Sequence, residues 1–242
     1  LFLKNLCFEK GRINMKKLGL IGGMGYLGTC EYYKEVMRIF YEKNGLFPEI
    51  SVESLDYARV KEYCQSSNFS ALEKYVSEKI KNLAYCGAQA AAVAADLPYI
   101  VFEDIKKNSP IPVADMQSVA AERAAAKGVK RAVVLGSEAA VINGVFKKAF
   151  DEKGIKTIVP AKHEISYISG KIENELIFGE TKKETRRVLG NIVRRIAEEE
   201  RADAVVWGCA ELSAVFKDIN LPVIYIDAAK INIEKISELI SK

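Results

Sequence analysis

The chain has 242 residues, 49% hydrophobic and 28% charged, which gives enough apolar material for one large domain or two lobes. Its 36 basic and 32 acidic side chains leave a net charge of +4, and no basic block is interleaved with aromatics, which argues against a nucleic-acid partner. No apolar run approaches the roughly 18 residues of a membrane span. Five cysteines without C-x-x-C spacing fit a reduced, cytoplasmic setting better than a disulfide framework. A metal site or a Ser-His-Asp triad would have to use the single histidine, His163, which has no ligand spacing around it, so no metal is expected.

Residues 1–14 read as a leader or upstream extension ahead of Met15 and are set apart from the fold. Residues 18–21 form a short apolar run closed by Gly22-Gly23 and predict a buried strand. A helix is expected over 29–41, with Tyr33, Val36, Met37 and Phe40 on one stripe, and a second strand over 50–55. Asn68 is placed to cap a helix over 70–84, and 88–94 predicts a third strand of small side chains. Residues 101–107 read as helical, and 110–113 lead into another short strand. Residues 203–207 run into Gly208 as a buried strand, a helix follows through 216, and a last helix over 228–240 is expected to return to the first half. Strands alternate with helices throughout, so the class is α/β with parallel sheets.

The second half repeats the first. Lys16 to Gly22 aligns with Lys130 to Gly136, Ala88 to Ala90 with Ala202 to Ala204, and Val101 to Ile105 with Val215 to Ile219, all at a shift of 114. The expected architecture is therefore two pseudo-symmetric, doubly wound parallel-sheet lobes with an active-site cleft between them. Residues 15–117 with 228–242 would form one lobe and 118–227 the other. Ligands of such sheets bind beyond the carboxyl ends of the strands, so equivalent loops would face a small substrate from both sides.

Three features carry chemistry. Gly22-Gly23-Met24-Gly25-Tyr26-Leu27-Gly28 holds a literal G-x-G-x-x-G, with Glu53 placed as a ribose-binding acid. It reads either as a dinucleotide loop or as a glycine-rich anion site. Cys209 lies where a strand hands over to a helix, near backbone N–H groups that favour a thiolate; the alternative is a small core cysteine. The shift of 114 carries Cys209 onto Ala95, so the first lobe has the same switch without sulfur. Asp96 is its candidate polar group, as an acid/base or as a helix cap.

From residue 16 to 239 the chain resembles the aspartate/glutamate racemase family. The segment Gly22 to Thr29 is similar to that family's GGMGPLAT motif, Gly208-Cys209-Ala210-Glu211-Leu212 to its GCTEL, and Ile226-Asp227 to its closing Ile-Asp. The resemblance implies a cofactor-independent isomerase, usually a homodimer, in which two cysteines flank the substrate's α-carbon as acid and base. Cys209 matches the second cysteine. Ala95 stands where the family has the first, in CNTAH, and Ser166 stands where a lysine is expected. The family's substrate-gripping arginine corresponds loosely to Arg59, and its threonine-rich anion loop to Gly136, Ser137 and Asn143.

The reading is a racemase-like enzyme acting at the α-carbon of a small acidic amino acid of the Asp/Glu type. Cys209 and Asp96 are the catalytic candidates. Gly23, Met24, Gly25, Arg59, Ala95, Leu97, Gly136, Ser137, Asn143, Ala210 and Glu211 are the substrate-binding candidates. A one-base decarboxylase of malonate-type acids, a non-catalytic carboxylate-binding protein and, more distantly, a dinucleotide-binding protein are the alternatives.

Overall fold

The computed structural model describes residues 15–217 and 219–241, so the leader assigned to residues 1–14 lies outside the described residues. The elements in order are β1 (Leu18–Gly22), α1 (Tyr26–Asn44), β2 (Ile50–Ser54), α2 (Tyr57–Gln65), α3 (Phe69–Tyr85) and β3 (Ala90–Val93). A 3₁₀ turn (Leu97–Val101) runs into α4 (Phe102–Asn108), followed by α5 (Met116–Ala126) and β4 (Arg131–Leu135). Then come α6 (Glu138–Ile142), α7 (Lys147–Asp151), β5 (Lys156–Ile158), α8 (Lys162–Asn174) and a 3₁₀ turn (Leu176–Phe178). The chain closes with α9 (Lys183–Glu199), β6 (Ala204–Trp207), α10 (Glu211–Phe216), β7 (Ile224–Asp227) and α11 (Ala228–Leu239).

All strand pairs are parallel. One sheet has the order β2-β1-β3 and the other β5-β4-β6-β7, so the first strand of each half sits between the second and third. β3 and β6 are related by the shift of 114 residue for residue. The strand expected after residue 110 shrinks to a single bridge, Ala91 to Val113. It is held by Ala91 N donating to Pro112 O and Ala114 N to Ala91 O, both at 2.8 Å. This is the place β7 fills in the other sheet. Proline at 112 removes one donor from that edge, which shortens the ladder.

Local chemistry sets the element ends. The Asn68 side chain accepts from Ala71 N at 3.2 Å and starts α3. Asp56 Oδ1 accepts from Ala58 N and Arg59 N and starts α2, a helix the sequence reading did not anticipate. Gly19 lies so close to α3 that a Cβ there would meet Leu83 at 3.0 Å, which explains a glycine inside a buried strand.

One apolar cluster runs through both halves, joining Val76, Ile80, Phe102 and Ile105 to Val134, Phe146, Val206 and Ile226. A second fills the four-stranded lobe around Trp207, which stacks on Phe216 at 5.2 Å. The third packs Ile233, Ile236 and Ile240 of the C-terminal segment against Leu18, Leu20, Tyr32 and Phe40 of the three-stranded lobe. Among the described residues, no helix is long and apolar enough to cross a membrane.

Candidate active site

The residues just beyond the C-terminal ends of β1, β2, β3, β4 and β6 converge on one cavity at the seam between the lobes. Met24, Tyr57, Ala95, Asp96 and Leu97 line it from the three-stranded lobe; Ser137, Ile172, Ile177, Cys209 and Glu211 line it from the four-stranded one. Ala95 and Cys209, equivalent by the repeat, share this cavity. Its volume is about 20 Å³, room for about one water molecule. It lies between two wider surface grooves. One, of about 370 Å³, shares Leu97 and Ser137; the other, of about 610 Å³, shares Glu211 and is lined by Leu27, Ala210, Trp207 and Tyr225. Lys61 of α2 and Glu173 of α8 pair at 2.6 Å across the mouth of the first groove.

Cys209 is 5% exposed. Burial pushes its thiol well above the ordinary range, and the nearby carboxyls of Glu211 and Asp96 push it further. The Leu212 N–H at the start of α10 pulls the other way but is outweighed. Burial thus outweighs the helix start, and the balance runs toward the thiol and not toward the thiolate that the helix start alone favours. The Glu211 carboxyl lines the same cavity, and its own pKa is raised from 4.5 to about 7, chiefly by burial. Asp96 is 6% exposed and its pKa is also raised by burial, against the Ser137 N–H, which donates to Oδ2 at 2.9 Å. Asp96 makes no side-chain cap bond to the turn that follows it, so the capping role weighed for it falls away.

The glycine loop is built for close approach. Gly23 and Gly25 have φ of +91° and +71°, which side chains rarely adopt. Thr29 Oγ1 accepts from Gly23 N at 2.9 Å and fills the space beside Gly22. A Cβ on Gly25 would meet Glu211 Oε1 at 2.6 Å, and one on Gly28 would meet the same oxygen at 2.8 Å. A pyrophosphate over this loop would meet a carboxyl group, and Glu53, the candidate ribose acid, is paired with Lys79 at 3.3 Å.

Of the candidates from sequence, Met24, Ala95, Asp96, Leu97, Ser137, Cys209 and Glu211 line the cavity, and Gly25 and Gly136 touch its acids. Gly23 lies behind the loop, where a Cβ would meet Leu55 O at 2.8 Å, and Ala210 faces the 610 Å³ groove. Two candidates require correction. Arg59 is exposed on α2, its Nε donating to Tyr63 Oη at 2.6 Å and its guanidinium lying 4.6 Å from the Tyr75 ring centroid. Val60 and Cys64 take the buried face of α2, and that helical phase turns Arg59 outward. Asn143 ends α6, donating to Ala139 O at 2.8 Å outside the cavity.

Tyr57, Ile172 and Ile177 were missed. Tyr57 follows the second strand and could have been found as a strand-end loop residue; Ile172 continues the spacing of Ile165 and Ile168. No three His, Cys, Asp or Glu side chains cluster as a metal would need among the described residues.

Two like α/β lobes with a thiol and two carboxyls lining one cavity at their seam define a two-lobed protein with an interlobe cleft. The chain belongs to the Asp/Glu/hydantoin racemase family, whose pattern matches residues 21–236. The structure is similar to a provisionally assigned Asp/Glu racemase from Yersinia pestis, with a TM-score of 0.82 and 21% identity over 94% of this chain and all of that one. It is also similar to an aspartate racemase homologue from Pyrococcus horikoshii OT3, with a TM-score of 0.78 and 29% identity over 94% of this chain and all of that one. The glutamate racemase from Aquifex pyrophilus shares the fold, with a TM-score of 0.65 and 19% identity over 93% of this chain and 84% of that one.

Proposed function

We propose that the protein is a cofactor-independent isomerase that moves a proton at the α-carbon of a small amino acid, with Cys209 as the acid–base group on one face. The observation that supports this is the single cavity between the lobes that Cys209, Glu211 and Asp96 line together. A buried thiol alone would hold its proton; a carboxyl titrating at about 7 can take that proton and return it. In the forward direction Glu211 accepts the thiol proton, the thiolate removes the α-hydrogen, and the electron pair stays on the α-carbon and its carboxylate. A proton then arrives from the opposite face, where Asp96 stands beside Ala95 and burial favours its protonated form. Ala95 occupies, in this reading, the place of the family's first cysteine. A homodimeric assembly belongs to the same reading.

The test is α-hydrogen exchange in deuterium oxide with L- and D-amino acids. Exchange that falls about 10³-fold in Cys209→Ala, with the fold retained by circular dichroism, supports the reading. Absence of exchange with every amino acid refutes it in favour of a binding protein, and carbon dioxide release from malonate-type acids refutes it in favour of a decarboxylase.

A further inference from the structure

The two loops at which a substrate carboxylate would dock are faced by the protein's own acids, and they are exchanged between lobes. Asp96, from the three-stranded lobe, reaches the loop after β4: Ser137 N donates to its Oδ2 at 2.9 Å, and a Cβ on Gly136 would lie 3.0 Å from the same oxygen. Glu211, from the four-stranded lobe, reaches the loop after β1 and packs its Oε1 over Gly25 and Gly28. Each carboxyl lies at the positive end of a helix in the other lobe, where an anion is favoured.

No Lys, Arg or His lines the cavity among the described residues. Ser166 donates its hydroxyl to Glu138 Oε1 at 3.2 Å, and Arg59 lies on its tyrosines. Even with Asp96 neutral and Glu211 ionised, the arrangement the proton transfer requires, the cavity lining carries one negative charge and no cation among the described residues. Lys61 in the groove beside it is paired with Glu173, and Lys34 in the other groove with Glu31. A second substrate carboxylate would face like charge in a water-poor site. One donor is left for a ligand: the Ser137 side chain lines the cavity near Asp96, whose charged form it favours, the residue is 7% exposed, and its Oγ has no hydrogen-bond partner of normal geometry among the described residues. A buried hydroxyl without a partner is the exception in folded proteins, and it offers a bond to one carboxylate.

We infer that this cleft takes amino acids of zero or positive net charge, with the ammonium group facing Asp96 and Glu211 and the single carboxylate at Ser137, and discriminates against dicarboxylates. The inference rests on the proposed proton transfer for its choice of amino acids, and its test is separable from that reaction. Calorimetric titration of the full-length protein at pH 8 with L-ornithine and with L-aspartate measures the preference directly. The expected result is at least tenfold tighter binding of ornithine, narrowing below threefold in Glu211→Gln, which removes the charge, and persisting in Asp96→Asn, which does not; loss of the preference in Asp96→Asn alone overturns the inference. Equal or tighter binding of aspartate, or no binding of ornithine, overturns the inference. Ornithine binding without α-hydrogen exchange would refute the catalytic reading and leave the specificity standing; Cys209-dependent exchange fastest with aspartate would do the reverse.

Discussion

The two strand-to-helix switches share a backbone plan and differ in what they carry. After β3 the chain runs Ala94-Ala95-Asp96-Leu97 into a 3₁₀ turn; after β6 it runs Gly208-Cys209-Ala210-Glu211 into α10. In the first, the acid directly follows the equivalent position, and Asp96 reaches across to the Ser137 N–H. In the second, the acid comes two residues later on the first turn of a helix and lines the same cavity as its own cysteine. One switch therefore builds a thiol–carboxyl pair, and the other builds a carboxyl anchored in the opposite lobe. Equivalent backbone positions with different side-chain offsets give a cleft with two chemically distinct faces.

Removing the proposed proton acceptor breaks the second switch. Glu211→Gln keeps the size of the side chain but cannot take the thiol proton, and turnover should fall roughly 10²-fold. The same variant tests the electrostatics. The folded state holds the Glu211 proton up to about pH 7, whereas the unfolded chain releases it near the ordinary value of 4.5. The wild-type protein therefore has this contribution in full below 4.5 and loses it as pH rises through 7. Burial is partial, since Glu211 also faces the wide groove, so the loss is about 1–3 kcal/mol. Unfolding free energies from urea titrations at pH 5 and pH 8 should differ by less in Glu211→Gln than in wild type by that amount; an unchanged difference would show that Glu211 titrates normally.

Adding sulfur to the first switch sharpens the comparison. Ala95→Cys places a thiol opposite Cys209, and racemisation followed by circular dichroism should rise about tenfold if the proton supply on that face is limiting. A fall would mean that Ala95 is needed as free space for substrate. The smallest effect is expected at the mouth. Lys61→Ala removes the pair with Glu173, in which both side chains are about 30% exposed, and should cost under about 1 kcal/mol in thermal denaturation. Substrate association measured by stopped flow should quicken a few-fold; slower association would show that the pair guides entry and does not obstruct it.

The repeat at 114 residues made the two-lobed fold legible, because it predicted equivalent strands in both sheets, and β3 and β6 follow it residue for residue. The strand-end glycine loop and Cys209 were legible for the same reason: their residue types stand at the sheet ends where a cleft forms. Arg59 was misplaced because the phase of α2 depends on Val60 and Cys64 packing inward, a tertiary choice in a segment whose loose motif suggested a loop. The state of Cys209 was misread because the helix start is local and visible, whereas desolvation and the approach of Asp96 come from parts of the chain far away in sequence. The crossing of the two acids was invisible for a related reason, since each touches a loop of the other lobe.

The chain passes from the first sheet into the second through α5 and, after β7, sends α11 back along it; these two helices pack side by side, with Arg123 and Glu234 paired at 2.8 Å across their seam. Two adjacent covalent crossings would act as an axle and not as a tether. They would resist twisting and sliding of one lobe on the other, so opening of the cleft should proceed as rotation about their common line. A cavity of about 20 Å³ must widen to admit any amino acid. Under such a rotation the acids exchanged between the lobes would separate together, so both faces of the cleft would be exposed and reassembled in the same movement.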